Sequence, residues 1–275
     1  MNPLFIPLLL VTLVLFVVTW KYTSKQSARW VCVVGLVAAV PAILFAVYYL
    51  KIFGEAKWFY TFRSWPLTEF STVGIGVFAG WLQFQREQKA WIKRTFSRFL
   101  IPGLMLLVVA VPYAKQILMP ADWSKYSDTW SNDVCLQSSE SSCGPASAAT
   151  ILHALGQSVT EKQIAQESFT TRRGTENWYL LRTIRRYGIN AQYLVTTPSV
   201  ENIPYPAIAG VILKDCAGAG HFIAILGENK GRLITGDPLV GRREVSRKML
   251  PELYAFTGFY IVISNTAVTN RIAKD

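Results

Sequence analysis

Residues 1–20 and 30–50 contain no Asp, Glu, Lys or Arg. An apolar run of about 20 residues is the length a helix needs to cross the hydrocarbon core of a bilayer. Such runs restrict the fold more than any other feature of the chain, because in lipid every backbone N–H and C=O must be paired within the spanning element. A cleaved signal peptide would need positive charge before the first run and small residues after it. Here Met1-Asn2 precedes and Trp20-Lys21-Tyr22 follows, so we read a retained span. Spans are expected at 3–20, 30–50, 66–84 and 99–117. Pro41 sits inside the second, where neighbouring helices can accommodate it. The third contains Glu69 near its start, read as an interfacial residue without a role, and carries Gly76-x-x-x-Gly80, a close-packing pattern. Residues 1–118 are thus expected to form a four-helix transmembrane region, with the lipid bilayer as a partner.

The charge distribution agrees. The chain is 51% hydrophobic and 16% charged, with a net charge of +11, too apolar and too sparsely charged for an ordinary soluble protein of this size. Residues 1–118 hold 12 Lys/Arg against 3 Asp/Glu, whereas the remainder holds 16 against 14. Basic residues between apolar spans are what membrane orientation requires, and a nucleic-acid footprint would lie on the folded domain instead. No nucleic-acid partner is expected. No Gly-rich Lys-Ser/Thr phosphate loop occurs, so the chain is not itself an ATP-driven exporter, and export would fall to a separate exporter.

After residues 119–132, whose polar and turn residues mark a linker, the pattern changes. Cys143-Gly-Pro145 is followed by Ile151, Leu152 and Leu155 at helical spacing, and Pro145 suits a first turn. Cys143 is therefore expected at a helix N-terminus, where unpaired N–H groups and the macrodipole favour thiolate. Only His153 and His221 could carry its proton. His153 lies ten residues along the same helix, about 15 Å away, which leaves His221. That residue opens the apolar run Phe222–Leu226, and Asn229-Lys-Gly231 turns the chain into a second strand ending at Gly236-Asp237-Pro238. Asp237 is thereby placed where a carboxylate could hold the His221 tautomer. Gln137, six residues before the cysteine, is positioned to donate beside the Cys143 N–H to a developing oxyanion.

Gln-x5-Cys-Gly-Pro-Ala, Gly-His-Phe-Ile and Asp-Pro together resemble the papain-like cysteine peptidases that process the double-glycine leaders of bacteriocins. The resemblance covers roughly residues 133–264. It implies an enzyme acting on a peptide or protein substrate after two small residues, typically Gly-Gly, and no cofactor or metal. Family members often have Asp immediately before the cysteine, where this chain has Ser142. A zinc site from Cys135, Cys143, Cys216 and His221 is disfavoured, since no C-x-x-C spacing is present.

Helices at 160–163 onward and 176–187 precede strands at 191–195, 207–213, 222–226, 232–235 and 258–264, mostly without crossover helices between them. Residues 133–266 are accordingly expected to be an α+β, papain-like peptidase domain with the nucleophile's helix against an antiparallel sheet, and 267–275 a tail. The leading function is a membrane-anchored cysteine peptidase using Cys143, His221 and Asp237. Its rivals are a peptide-binding or transport-associated protein that does not cut, and an acyltransferase or amidase on the same scaffold.

Orientation follows from loop charge. The first and third loops carry eight basic residues (Lys21, Lys25, Arg29, Arg86, Lys89, Lys93, Arg94, Arg98) against Lys51, Lys57 and Arg63 in the second. With four spans, the positive-inside bias places a multi-pass protein in the cell (inner) membrane with its peptidase domain extracytoplasmic, whereas loss of the third span would return that domain to the cytosol. An oxidising compartment would let Cys135 and Cys216 form a disulfide bracing the cleft. Their other reading is two ordinary buried thiols.

Overall fold

The uncharged runs form α1 (Phe5–Tyr22) and α2 (Ala28–Tyr49). In this computed structural model residues 2–50, 57–95, 98–214 and 219–264 are described, and the chain divides into two units, Met1–Leu118 and Met119–Asp275. The first unit continues with α3 (Lys57–Arg63), α4 (Ile75–Gln88), α5 (Ala90–Thr95), α6 (Leu100–Ala110) and α7 (Ala114–Leu118). A 3-10 turn joins α6 and α7 into one apolar stretch, Leu100–Leu118.

Among the described residues, three helical stretches are long and apolar enough to cross a membrane: Phe5–Tyr22, Ala28–Tyr49 and Leu100–Leu118. The expected third span at 66–84 is not among them. Leu67, just after Pro66, is in the left-handed region at φ 61°, so no helix runs through it. Thr68–Gly74 is 3-10, and α4 has only 14 residues. That is about 21 Å of helix, short of the roughly 30 Å hydrocarbon core, and its last turn is Gln85-Arg-Glu-Gln88. Close packing does explain the glycines of α4. A Cβ on Gly76 would stand 2.4 Å from the Thr12 carbonyl oxygen, and one on Gly80 2.5 Å from that of Phe16, so only glycine lets α4 lie this near α1. Glu69 is buried rather than interfacial, paired with buried Arg63 at 3.3 Å.

The second unit begins earlier than the motifs suggest. The Arg172 N–H donates to the Met119 carbonyl at 3.0 Å, and residues Pro120 and Thr171 form an isolated antiparallel bridge. β1 (Trp130–Ser131) and β2 (Val134–Cys135) then pair antiparallel. Three helices follow: α8 (Cys143–Ala154), α9 (Glu161–Glu167) and α10 (Asn177–Arg186). The strands are β3 (Ala191–Val195), β4 (Ala207–Leu213), β5 (Gly220–Asn229), β6 (Arg232–Asp237), β7 (Gly241–Ser246) and, after the short α11 (Leu250–Leu253), β8 (Tyr254–Ile263). They form one sheet in the order β3-β8-β4-β5-β6-β7, all pairs antiparallel.

This is an α+β papain-like arrangement. The β5–β6 hairpin turns at Lys230 and Gly231, both at positive φ (47° and 75°), the geometry that a two-residue hairpin turn requires. β7 escapes periodicity because its inner residues Arg242, Arg243 and Glu244 are exposed on an edge. Helix α8 is buried along nearly its whole length. Its small residues Gly144, Ala146, Ser147, Ala148 and Ala149 let it lie close to the sheet, and the Ser147 hydroxyl donates to the Phe222 carbonyl at 3.0 Å. That bond joins the helix bearing Cys143 to the strand bearing His221.

Candidate active site

Cys143 is the first residue of α8, and Ser142 occupies the N-cap without a side-chain cap bond. Its hydroxyl turns back into the preceding loop, donating to the Ser139 carbonyl at 3.0 Å and accepting from the Ser139 N–H at 3.0 Å. The first turn of the helix therefore keeps its N–H groups uncapped by a side chain and available to negative charge that develops beside them.

His221 lies near the start of β5, opposite Val211 of β4. The register Ala224↔Gly236 places Asp237, one residue further along β6, diagonally across from it. Their side chains meet: His221 Nε2 and Asp237 Oδ1 are 2.9 Å apart, and both residues are buried. The Cys143 side chain acts on the same ring, adding to what raises its pKa. Since Asp237 occupies Nε2, Nδ1 is the ring nitrogen left for the sulfur.

The electrostatics follow from these contacts. Burial alone would lower the His221 pKa, but the Asp237 carboxylate and the Cys143 sulfur outweigh it and push the value up to about 9. Burial likewise opposes the Asp237 charge, yet bonds from His221, from the Tyr254 hydroxyl and from the Leu239 N–H hold its pKa below the usual carboxylate value. Tyr254 donates to Oδ2 at 2.6 Å and Leu239 N–H to Oδ1 at 2.9 Å. With the His221 ring donating to Oδ1, each carboxylate oxygen has at least one donor, which is what keeps a buried carboxylate ionised.

Gln137 sits in the loop before α8. Its amide nitrogen donates to the Ser139 carbonyl at 2.9 Å, and its backbone N–H donates to the Pro238 carbonyl at 2.9 Å. A carbonyl only accepts, so the nitrogen must face Ser139, and one of its two N–H groups remains. The Gln137 Oε1 is buried without a partner. Beside this loop lies a cleft of about 650 Å³ bounded by Lys125, Tyr126, Ser138–Ser141 and Arg172, within the size range of ligand sites.

The structure thus brings Cys143, His221 and Asp237 into contact and ties Gln137 to the residue after Asp237. His153 is at the far end of α8, half exposed, 3.8 Å from Asp133. Cys135 is a free, buried thiol whose pKa burial pushes upward. Cys216 lies outside the described residues. Tyr254 went unseen in the sequence, because 17 positions separate it from Asp237 and nothing local marks it; only the β8 connection brings it near.

Residues 131–267 match the Peptidase C39 family. An uncharacterized protein of Methanothermobacter marburgensis is 29% identical over 127 residues, covering 46% of this chain and 84% of that protein. Among solved structures, a double glycine motif protease from an AMS/PCAT transporter, in complex with the leader peptide, is 22% identical with a TM-score of 0.41, covering 48% of this chain and 91% of that one. The peptidase domain of Streptococcus ComA, a bi-functional ABC transporter involved in quorum sensing, is 21% identical with a TM-score of 0.41, covering 48% and 96%.

Proposed function

We propose that this chain, a cysteine peptidase whose residues 131–267 form a Peptidase C39 domain, cleaves peptide bonds through Cys143 while held in a membrane by its apolar N-terminal helices. The observation that carries the reading is one buried imidazole bonded by Asp237 at 2.9 Å on Nε2 and acted on by the sulfur of a helix-terminal cysteine, whose helix is tied to the His221 strand through Ser147 and Phe222. A histidine with a pKa near 9 is protonated at neutral pH and can serve as the acid of the first step. The thiolate attacks the substrate carbonyl carbon, and the new oxyanion takes hydrogen bonds from the Cys143 backbone N–H and the Gln137 amide. His221 then gives its proton to the departing amine, leaving a thioester. In the second half His221 removes a proton from water as it attacks the thioester and keeps that proton as the acid is released and the sulfur leaves as thiolate, which restores the starting state.

The substrate that best fits the C39 family is a peptide leader ending in two small residues, typically Gly-Gly. A panel of peptides varied at the two residues before the cut tests this, and indifference to bulky residues there rejects it. For the chemistry, Cys143→Ala and His221→Ala are each expected to abolish turnover, and His153→Ala to leave it nearly intact. Normal turnover in Cys143→Ala removes the reading.

We place the peptidase domain outside the cytoplasm. The Asn2 N–H donates to Gln116 Oε1 at 2.8 Å, so the start of α1 and the end of α7 lie at one end of the first unit, and α4 runs alongside α1 from Thr12 at Gly76 to Phe16 at Gly80, towards the other end. The α1–α2 loop and the segment after α4 carry Lys21, Lys25, Arg29, Arg86, Lys89, Lys93, Arg94 and Arg98, against Lys51, Lys57 and Arg63 between α2 and Glu69, and eight basic residues against three favour that other end inside and the start of the second unit outside. A reporter fused after Asp275 that works only outside the cytoplasm should be active. Fluorescence from a cytoplasm-dependent fusion at the same point reverses the assignment.

A further inference from the structure

Among the described residues of the second unit, Glu161 is the one carboxylate outside the Asp237 cluster that is buried completely. It lies in the first turn of α9, whose N-cap Thr160 accepts from the Gln163 N–H at 3.1 Å. A helix start tolerates negative charge, but full burial is costly unless the oxygens find donors. Both donors come from one residue. The Ser138 N–H donates to Oε1 at 2.9 Å, and the Ser138 hydroxyl donates to Oε2. Glu161 is itself held, its backbone N–H donating to Asp128 Oδ1 at 3.0 Å.

Ser138 directly follows Gln137, and the three residues 137–139 are fastened from three directions. The Gln137 N–H is bonded to the Pro238 carbonyl, the Gln137 amide to the Ser139 carbonyl, and Ser138 to Glu161. An exposed loop could leave the Ser138 donors to water at little cost. Here a buried side chain replaces water, and its two bonds to Ser138 allow one orientation of the Ser138 peptide, hence one path for the preceding side chain. Oxyanion stabilisation depends on a donor that needs no reorganisation when charge develops.

We propose that Glu161 is a positioning residue: through Ser138 it sets the orientation of Gln137 as oxyanion donor, without touching substrate. This rests on the reading of Gln137 given above. Glu161 adds nothing to thiolate formation, because the carboxylate acts on the loop and leaves the Cys143–His221–Asp237 contacts alone.

The test is a double-mutant cycle in the full-length, detergent-solubilised protein, with kcat and KM for a cleaved peptide and the pH profile of Cys143 alkylation by iodoacetamide read by mass spectrometry. Gln137→Ala is expected to lower kcat about 10- to 100-fold, and Glu161→Ala about 10-fold with KM little changed. In the Gln137→Ala background Glu161→Ala should cost less than about twofold more, since the two act as a unit. Glu161→Gln, which keeps one acceptor for Ser138, should recover part of the loss, and Ser138→Ala, which removes only the hydroxyl donor, should show part of it. The alkylation profile should match the parent protein in all these variants. If Glu161→Ala reaches its full cost on top of Gln137→Ala, or if the loss appears in alkylation or only in KM, Glu161 does not act through the oxyanion donor. Should Glu161→Ala fail to fold, Glu161→Gln and Ser138→Ala are put through the same cycle and decide the matter in the same way. A Gln137→Ala protein of full activity removes the donor and this inference together, whereas inert Cys143 in the parent protein overturns the peptidase reading itself.

Discussion

Replacing Asp237 with Asn removes a negative charge 2.9 Å from His221 Nε2 while keeping the shape of the site. The Asn carbonyl oxygen can still accept from the ring and from the Leu239 N–H, and the Tyr254 hydroxyl can rotate to accept from the new amide. Geometry is preserved and electrostatics are not. In the parent protein the Asp237 bond is the largest of the contributions that raise the His221 pKa from 6.5 to about 9 against burial. A rise of that size corresponds to about 3 kcal/mol of preference for the protonated ring. Without the carboxylate, burial opposes only the Cys143 sulfur, and the pKa should fall back toward 6.5. The thiolate–imidazolium pair loses a comparable stabilisation at pH 8, so kcat/KM there should drop about 100-fold. Site-resolved iodoacetamide alkylation of Cys143 needs no substrate. The parent protein should show an inflection near pH 9 where the imidazolium loses its proton, and Asp237→Asn should move it toward neutrality. An inflection that stays near 9 in Asp237→Asn would refute the assignment of Asp237 as the group that holds the charge on His221.

The same shift has a consequence for stability. Unfolded His221 titrates at its ordinary 6.5 and the folded residue near 9, so between those values the folded state holds the extra proton. Its contribution is complete below about 6.5 and is lost as pH rises through 9, so thermal unfolding of the peptidase domain followed from pH 7 to 9.5 should show a falling midpoint that flattens above 9. In a His221→Gln protein that decline should shrink. Tyr254→Phe leaves Asp237 Oδ2 without its 2.6 Å donor and should cost about 2 kcal/mol, the scale of a hydrogen bond to a buried charge. Chemical denaturation measures it, and a change under 0.5 kcal/mol would mean that another donor replaces the hydroxyl. Gly80→Val places a branched side chain where even a Cβ meets the Phe16 carbonyl at 2.5 Å. It should destabilise the membrane unit by about 3 kcal/mol or more, seen as a lowered aggregation temperature in detergent, whereas Gly103→Ala, where a Cβ meets nothing within 4 Å, should be silent.

What the sequence determined by itself is chemistry carried by local pattern. The uncharged runs 1–20 and 30–50 read as helices long and apolar enough to cross a membrane, and the structure gives helices of that length there. Cys143 could be placed at a helix start because Pro145 and the apolar spacing after it are local signals, and the His221 strand because Asn229-Lys-Gly231 suits one kind of turn. The diagonal meeting of His221 and Asp237 follows from that hairpin, so their contact was also within reach. Tertiary structure decided what depends on partners distant in sequence. The third apolar run carries the composition of a span, yet a left-handed Leu67 and a 3-10 segment shorten its helix, with Glu69 buried against Arg63 rather than facing an interface. The exposed charges of β7 hide an edge strand, since an edge needs no apolar alternation. Tyr254 and Glu161 reach Asp237 and the Gln137 loop only because β8 and α9 return to them. Hydrogen bonds spanning 17 and 23 positions leave no periodicity to read, and in this site they hold the groups that the motifs name.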